Sequence, residues 1–374
     1  MRADHKRPGL LYAGTEFGMY VSYDGGGNWH PFQLNLPITP ITDLTIKNND
    51  LVVATQGRSL WILDDLSMVQ QLDPALINKN MHVYQMNDAY RIPGVSSRWG
   101  APSVPANSAM NPPKGAVVNY WVKTVTDSTN ASITIVSPTG KVIKKFATGS
   151  KENPLTLKRG FNQFVWDLKY PEAEKADGLI LWNGTPSGIT AAPGKYTAHI
   201  QIGGDSTSVT FNLLADPNYK CTQADYEAQV SFLLQVQDKF NETMKAIKKI
   251  KSTREQLTGY TTRLGKTCPA ALKNLGDSLS KRLTAIEELL HQTKAKSGQD
   301  VLNYPIRLDD KLSGVFDMAN SGNMAPPKQA LDVFSGLATQ VDAALAQLQV
   351  VLGEGLQAFN KMIVELRLPV IVAE

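Results

Sequence analysis

The sequence predicts a multidomain protein of the β plus α class, in which β-rich regions come first and a helical bundle comes last. Three observations predict this order. Short strand patterns repeat roughly every 40 residues near the N terminus, a spacing typical of β-repeat proteins. A second group of strand patterns begins at Ala116, and the apolar period becomes helical after Pro217. A length of 374 residues leaves room for two or three domains.

The first repeat contains the most distinctive motif. Residues 22–29 fit the pattern S-x-D-x-G-x-(T/N)-W, with Ser22, Asp24, Gly26, Asn28 and Trp29 in place. We expect Asp24 to accept backbone N–H groups across a hairpin turn in which the glycines take positive φ. We expect Trp29 to start the return strand and to pack its ring between sheets.

The repeat itself is visible in the sequence. Leu10–Thr15 matches Asp50–Thr55, and in each repeat a glycine, Gly18 or Gly57, leads into an aromatic strand. A period near 40 residues with about four strands is typical of propeller blades, so residues 1–80 are predicted to form about two blades. A propeller needs roughly four to eight blades to close. The chain is therefore expected to be the C-terminal part of a longer protein, with self-association of the incomplete propeller as the less favoured hypothesis.

The rest of the chain divides into three segments. Residues 81–115 are predicted to be a linker and loop because small residues and prolines dominate them. Six or seven short strand patterns in residues 116–216 predict an immunoglobulin-like β-sandwich without its disulfide. Residues 217–374 predict a helical bundle of three or four helices.

Helix boundaries follow from capping signals. Thr222 is expected to cap a helix that continues through Leu257, and Pro269 opens a second helix toward His291. A third, shorter helix is predicted over Ile306–Ala319, and a fourth begins at Pro327.

Composition excludes several functions. A net charge of +4 with no segment that concentrates Lys and Arg among aromatic residues argues against nucleic-acid binding. No stretch approaches the roughly 20 apolar residues of a membrane span. We expect no signal peptide in this chain, because its first residues contain no apolar segment. Cys221 and Cys268 flank a long predicted helix, so we expect no disulfide between them and leave the redox compartment open.

The order of these parts resembles the C-terminal third of large bacterial BNR or Asp-box repeat proteins, which are sortilin-like and often labelled glycosyl hydrolase. The motif at residues 22–29 and the stretch 54–65 carry this resemblance, and Asn28 departs from the more frequent Thr. Segments Gly160–Asp167 and Ala192–Thr197 resemble the immunoglobulin-like domain of flagellar hook-capping proteins. The resemblance implies an exported parent protein, periplasmic, outer-membrane-associated or secreted, and a structural role for Asp24.

Candidate site residues are few. Trp182 lies in a predicted loop and is the candidate for stacking against a sugar ring, whereas Trp121 and Trp166 are interpreted as core; Trp99 is a further aromatic candidate. No catalytic residue is assigned, because the rest of a central site would lie in absent blades. Asp64 and Asp65 also fit a turn, and Arg58 fits a blade edge. The polar residues that the repeats offer are Glu16, Asp43, Arg58, Asp64 and Asp65. The five histidines lack metal-ligand spacing, so no metal and no cofactor is expected.

Two functions remain open. The first is a non-catalytic C-terminal region of an exported BNR-repeat protein that binds a protein or glycan partner. The alternative is a fragment of a sialidase-like glycoside hydrolase whose catalytic residues lie in missing upstream blades.

Overall fold

The computed structural model describes residues 1–92, 108 and 111–368, which form two compact units. Met1–Leu168 and Pro193–Asp216 make the first unit, and Lys169–Ala192 and Pro217–Glu374 make the second. The expected combination of sheets with a C-terminal helical region is confirmed.

The first unit contains the strands, one short α-helix and a 3-10 helix at Pro74–Asn78. Its elements are β1 (Arg2–Ala3), β2 (Leu11–Thr15), β3 (Gly18–Ser22), β4 (His30–Pro31), β5 (Ile41–Lys47), β6 (Asp50–Thr55), β7 (Leu60–Leu63), α1 (Ser67–Gln71), β8 (Met81–Val83), β9 (Ala89–Arg91), β10 (Ala116–Val122), β11 (Ala131–Val136), β12 (Val142–Ala147), β13 (Gly160–Trp166), β14 (Gly194–Ile202) and β15 (Asp205–Ala215).

The first seven strands form two antiparallel sheets that follow chain order, β1 to β4 and β5 to β7. Apolar side chains from both sheets share one buried core, which includes Tyr12, Val21, Leu51 and Val53. The hairpin between β5 and β6 turns on Asn48 and Asn49, which both have positive φ.

The two sheets repeat a turn as well as a sequence pattern. The Thr15 hydroxyl donates to the Gly18 carbonyl at 3.1 Å and accepts the Phe17 N–H at 3.1 Å. The Thr55 hydroxyl donates to the Ser59 carbonyl at 2.6 Å and accepts the Arg58 N–H at 3.2 Å. Equivalent threonines therefore close the β2–β3 and β6–β7 connections by the same two kinds of bond, although the second turn is one residue longer.

The edge strand β7 is apolar on both of its faces. Trp61 and Leu63 pack against the shared core, because alternate residues of a strand point the same way. Leu60 and Ile62 point the other way and are 68% and 60% exposed. A run of four apolar residues is the pattern of a strand that is covered on both sides, yet only one side of β7 is covered.

The strands from β8 onward form two further sheets, in the order β13-β10-β8 and β12-β11-β14-β15-β9. All neighbours are antiparallel except β15 and β9. The Trp166 ring, from the first of these sheets, lies 5.5 Å from the Tyr196 ring and 6.2 Å from the Phe211 ring, both from the second. Trp166 is fully buried, as its interpretation as a core residue requires.

The second unit contains the long helices α2 (Gln223–Leu264), α3 (Ala270–Leu290), α4 (Leu308–Ala319), α5 (Lys328–Val350) and α6 (Leu356–Glu365), and a π-helical turn at Val351–Gly355 joins the last two. Thr222 caps α2 through a reciprocal bond with Asp225, and Pro269 and Pro327 precede α3 and α5. Gly355 passes close to α3, because a Cβ added there would lie 2.5 Å from the Leu279 side chain.

The structure departs from the sequence expectations in three places. Residues 81–91, expected in the linker, form β8 and β9, which add to the edges of β10 and β15. Residues 169–192, expected in the sandwich, belong to the helical unit, where Ile189 enters the core. Helix α2 continues past Leu257 to Leu264 because both residues are buried against the other helices. Residues 93–107, 109 and 110 of the expected linker, including Trp99, lie outside the described part of the chain.

Candidate functional site

The Asp-box residues form a hydrogen-bonded turn between β3 and β4. Asp24 accepts the backbone N–H of Asn28 at 2.9 Å and the Asn28 side-chain amide at 2.6 Å. The Ser22 hydroxyl donates to Asp24 at 2.8 Å and accepts the Gly26 N–H at 2.9 Å. Gly25 and Gly26 take positive φ, as the turn requires. The hydrogen bonds from Asn28, backbone first, and from Ser22 hold the pKa of Asp24 well below its ordinary value of 3.8.

Trp29 does not pack between sheets as expected. It is 37% exposed, and its indole N–H donates to the Gly26 carbonyl at 3.1 Å, which lays the ring over the turn. Phe32 packs against the core in its place, with its ring 6.1 Å from that of Tyr12. Trp61 makes the same type of bond, to the Arg58 carbonyl at 2.9 Å. In both repeats the tryptophan therefore fastens a turn.

Two of the five candidate catalytic residues, Asp43 and Asp65, have structural partners. Asp43 pairs with Arg2 at 2.8 Å on the surface. Asp65 accepts the N–H of Ser67, the first residue of α1, and the side-chain amides of Asn49 and Asn87. Both carboxylates therefore make bonds within the first unit.

Asp64 and Glu16 are the remaining carboxylates of this group. Burial, together with the carboxylates of Asp50 and Asp65, raises the pKa of Asp64. Glu16 is exposed, in the connection between β2 and β3. Among the described residues, no group of histidines, cysteines or acids could hold a metal ion.

Trp182 lies in the second unit, on the loop 181–184, and is 44% exposed. Asp310, buried in the first turn of α4, fixes this loop by accepting the N–H groups of Trp182 at 2.8 Å and Asn183 at 2.9 Å. The Ser313 hydroxyl donates to the Gly184 carbonyl at 2.6 Å. The indole is therefore exposed on a loop that three hydrogen bonds to α4 hold in place. Because the loop is already ordered, less conformational entropy is lost when a ligand binds to the indole.

A buried histidine–carboxylate pair lies next to Asp310 in the sequence. His291 Nδ1 is 2.6 Å from the Asp309 carboxylate, and both side chains are almost completely buried. Burial raises the pKa of Asp309, although the bond to His291 acts in the opposite direction. Adjacent residues on a helix point about 100° apart, so Asp309 and Asp310 tie α4 to two different segments. The sequence analysis missed both carboxylates, although two acids in the first turn of a predicted helix were a signal of them.

In comparisons with known proteins, no family model, no curated protein and no solved structure matched this chain. In the part of the chain that the structure describes, no helix is long and apolar enough to cross a membrane. Both cysteines are free, as expected.

The Asp24 turn should respond to acid. A carboxyl with a lowered folded pKa stabilises the fold above its ordinary pKa of 3.8, and this stabilisation is lost as the pH falls through the folded value. We expect carboxyl NMR titration to place the Asp24 midpoint below 3.8, and Asn28→Ala to move it upward. A wild-type midpoint at or above 3.8 would contradict the bonds described for this turn.

The Trp182 loop should depend on Asp310. Asp310→Ala leaves two N–H groups without their acceptor, and we expect a loss of about 2 kcal/mol in the free energy of unfolding. Hydrogen exchange should show the Trp182 and Asn183 amides losing protection. Asp177→Ala, which removes an exposed carboxylate from the same segment, is the matched control and should change stability by less than about 0.5 kcal/mol. Equal effects of the two substitutions would contradict the assigned role.

Proposed function

We propose that the chain is a non-catalytic C-terminal region of an exported repeat protein of the BNR or Asp-box type. Sheets β1 to β4 and β5 to β7 would be the last blades of its propeller, and strands β8 to β15 would form an immunoglobulin-like domain. The helical unit follows them. The role of the region is to bind a protein or glycan partner and to give structural support.

The observation that carries this proposal is the uncovered face of β7. Leu60 and Ile62 are mostly exposed on a strand whose four residues are all apolar. Exposed apolar side chains on an edge strand favour association with another sheet. The shared threonine turns of the two sheets support a repeated array, and the bonds around Asp24 support a structural role for the Asp box.

Trp182 supports a glycan partner for the second unit. Its half-exposed indole is held on a fixed loop, an arrangement suited to stacking on a pyranose ring. A protein partner is the alternative for this unit.

The alternative function is a fragment of a sialidase-like glycoside hydrolase. The raised pKa of Asp64, next to Asp50 and Asp65, is the one observation that favours it, since general acids need such a shift. Aryl glycosides, including sialyl ones, distinguish the two functions. The non-catalytic proposal expects no turnover, and hydrolysis that is abolished by Asp64→Asn would overturn it.

The exposed face of β7 allows a direct test of the non-catalytic proposal. We expect the isolated chain to self-associate through β7, and Leu60→Ser with Ile62→Ser to shift it toward monomer in sedimentation velocity. Val142→Ser is the matched control, because Val142 is 64% exposed on the edge strand β12. The proposal that β7 packs against another sheet would be contradicted by a chain that stays monomeric over a wide range of concentrations. Loss of association to the same extent in the Val142→Ser control would also contradict it.

A further inference from the structure

Two neighbouring depressions lie side by side on the helical unit. The first, of about 400 Å³, lies between α3 and the end of α5, and the second, of about 250 Å³, lies between α3, α4 and α5. Leu289 and Gln347 line both of them, so the two adjoin at these side chains. We call this surface the α3–α5 groove.

The floor of the α3–α5 groove is apolar. Leu289 and Val350 are 46% and 47% exposed, and Ile286 and Val351 lie beneath them. The apolar side chains follow helical spacing on α3 and α5, which is how a groove for another helix is built. Along α5 the lining runs from Gln340 to Val351, roughly 16 Å or three helical turns.

The rim of the groove carries charge of one sign. Arg282, Arg307 and Lys311 are exposed and line it, and the lining residues that the structure describes include no aspartate or glutamate. None of the three cations makes an ion pair with another described residue. Positive charge around an apolar floor is complementary to a helix with acidic flanks and an apolar stripe.

The helix geometry also changes at this groove. Val351, the first residue of the π-helical turn, is part of the lining. Such turns recur at functional sites, because they redirect the side chains of one helix. Here the turn lies where α5 gives way to α6.

We propose that the α3–α5 groove binds an acidic amphipathic helix of a partner protein. Apolar side chains of that helix pack on Leu289 and Val350, and its carboxylates face Arg282, Arg307 and Lys311. The groove lies wholly within the helical unit. The inference deepens the proposed interaction role, on which its biological meaning rests, but it does not involve β7.

Fluorescence anisotropy with the full chain tests this. The probe is a fluorescein-labelled peptide of roughly four turns, with leucines on one helical face and glutamates on the other. We expect it to bind more tightly than a peptide with lysines in place of the glutamates, and affinity should fall as salt rises. Arg282→Glu with Lys311→Glu should weaken binding at least tenfold, and Leu289→Ser should weaken it severalfold.

Lys281→Glu is the matched control, since Lys281 is exposed on the same helix, next to Arg282, but does not line the groove. Circular dichroism checks that each variant is folded. Equal binding of the two peptides, or equal weakening by Lys281→Glu, would overturn the proposal. So would a chain that ignores the acidic peptide but binds phosphatidylglycerol vesicles through the same cations. Failure of β7 to associate would leave the peptide result unaffected, so the two failures are distinguishable.

Discussion

One buried carboxylate, that of Asp4, holds the first two sheets and helix α1 together. It accepts the Tyr12 hydroxyl at 3.1 Å, the Gln70 amide at 3.0 Å and the N–H groups that follow it in the chain. Gln70 also donates to Asn49 at 2.7 Å, which joins the second sheet to the same cluster. Burial alone would raise the pKa of Asp4, but the bond from Gln70 and the others outweigh it and hold the pKa below its ordinary value. Two small sheets with a modest shared core depend on such a cluster to stay in register.

Each unit leaves some apolar side chains exposed, at positions where a partner could pack. The sheets bury one side of β7 and leave Leu60 and Ile62 outside. The helical unit buries the stripes of α2 to α5 and leaves Leu289 and Val350 at a groove rimmed by cations. Both surfaces are apolar where a partner would pack.

The sequence predicted the elements that depend on residues close together in the chain, and it missed those that depend on distant contacts. Thr222 marks a helix start through its side-chain cap, and Pro269 and Pro327 mark two more through their fixed φ. Helices α2, α3 and α5 begin directly after these residues. The predicted packing of Trp29 between sheets was wrong. Its indole N–H donates to the carbonyl of Gly26, three residues earlier, and this bond competes with packing in the core. Strands β8 and β9 were missed because each has three residues and exists only through pairing with distant strands. Arg282, Arg307 and Lys311 are scattered in sequence, and only the packing of α3, α4 and α5 brings them to one groove.

We propose that the first two sheets are the end of a longer array of repeats, and the intact mass of the native gene product tests this most directly. The chain described here has a mass of 40.9 kDa. The account predicts a native protein that is larger by several repeats of roughly 40 residues each, as a closed propeller requires. A native product of 40.9 kDa that is monomeric in solution would contradict it.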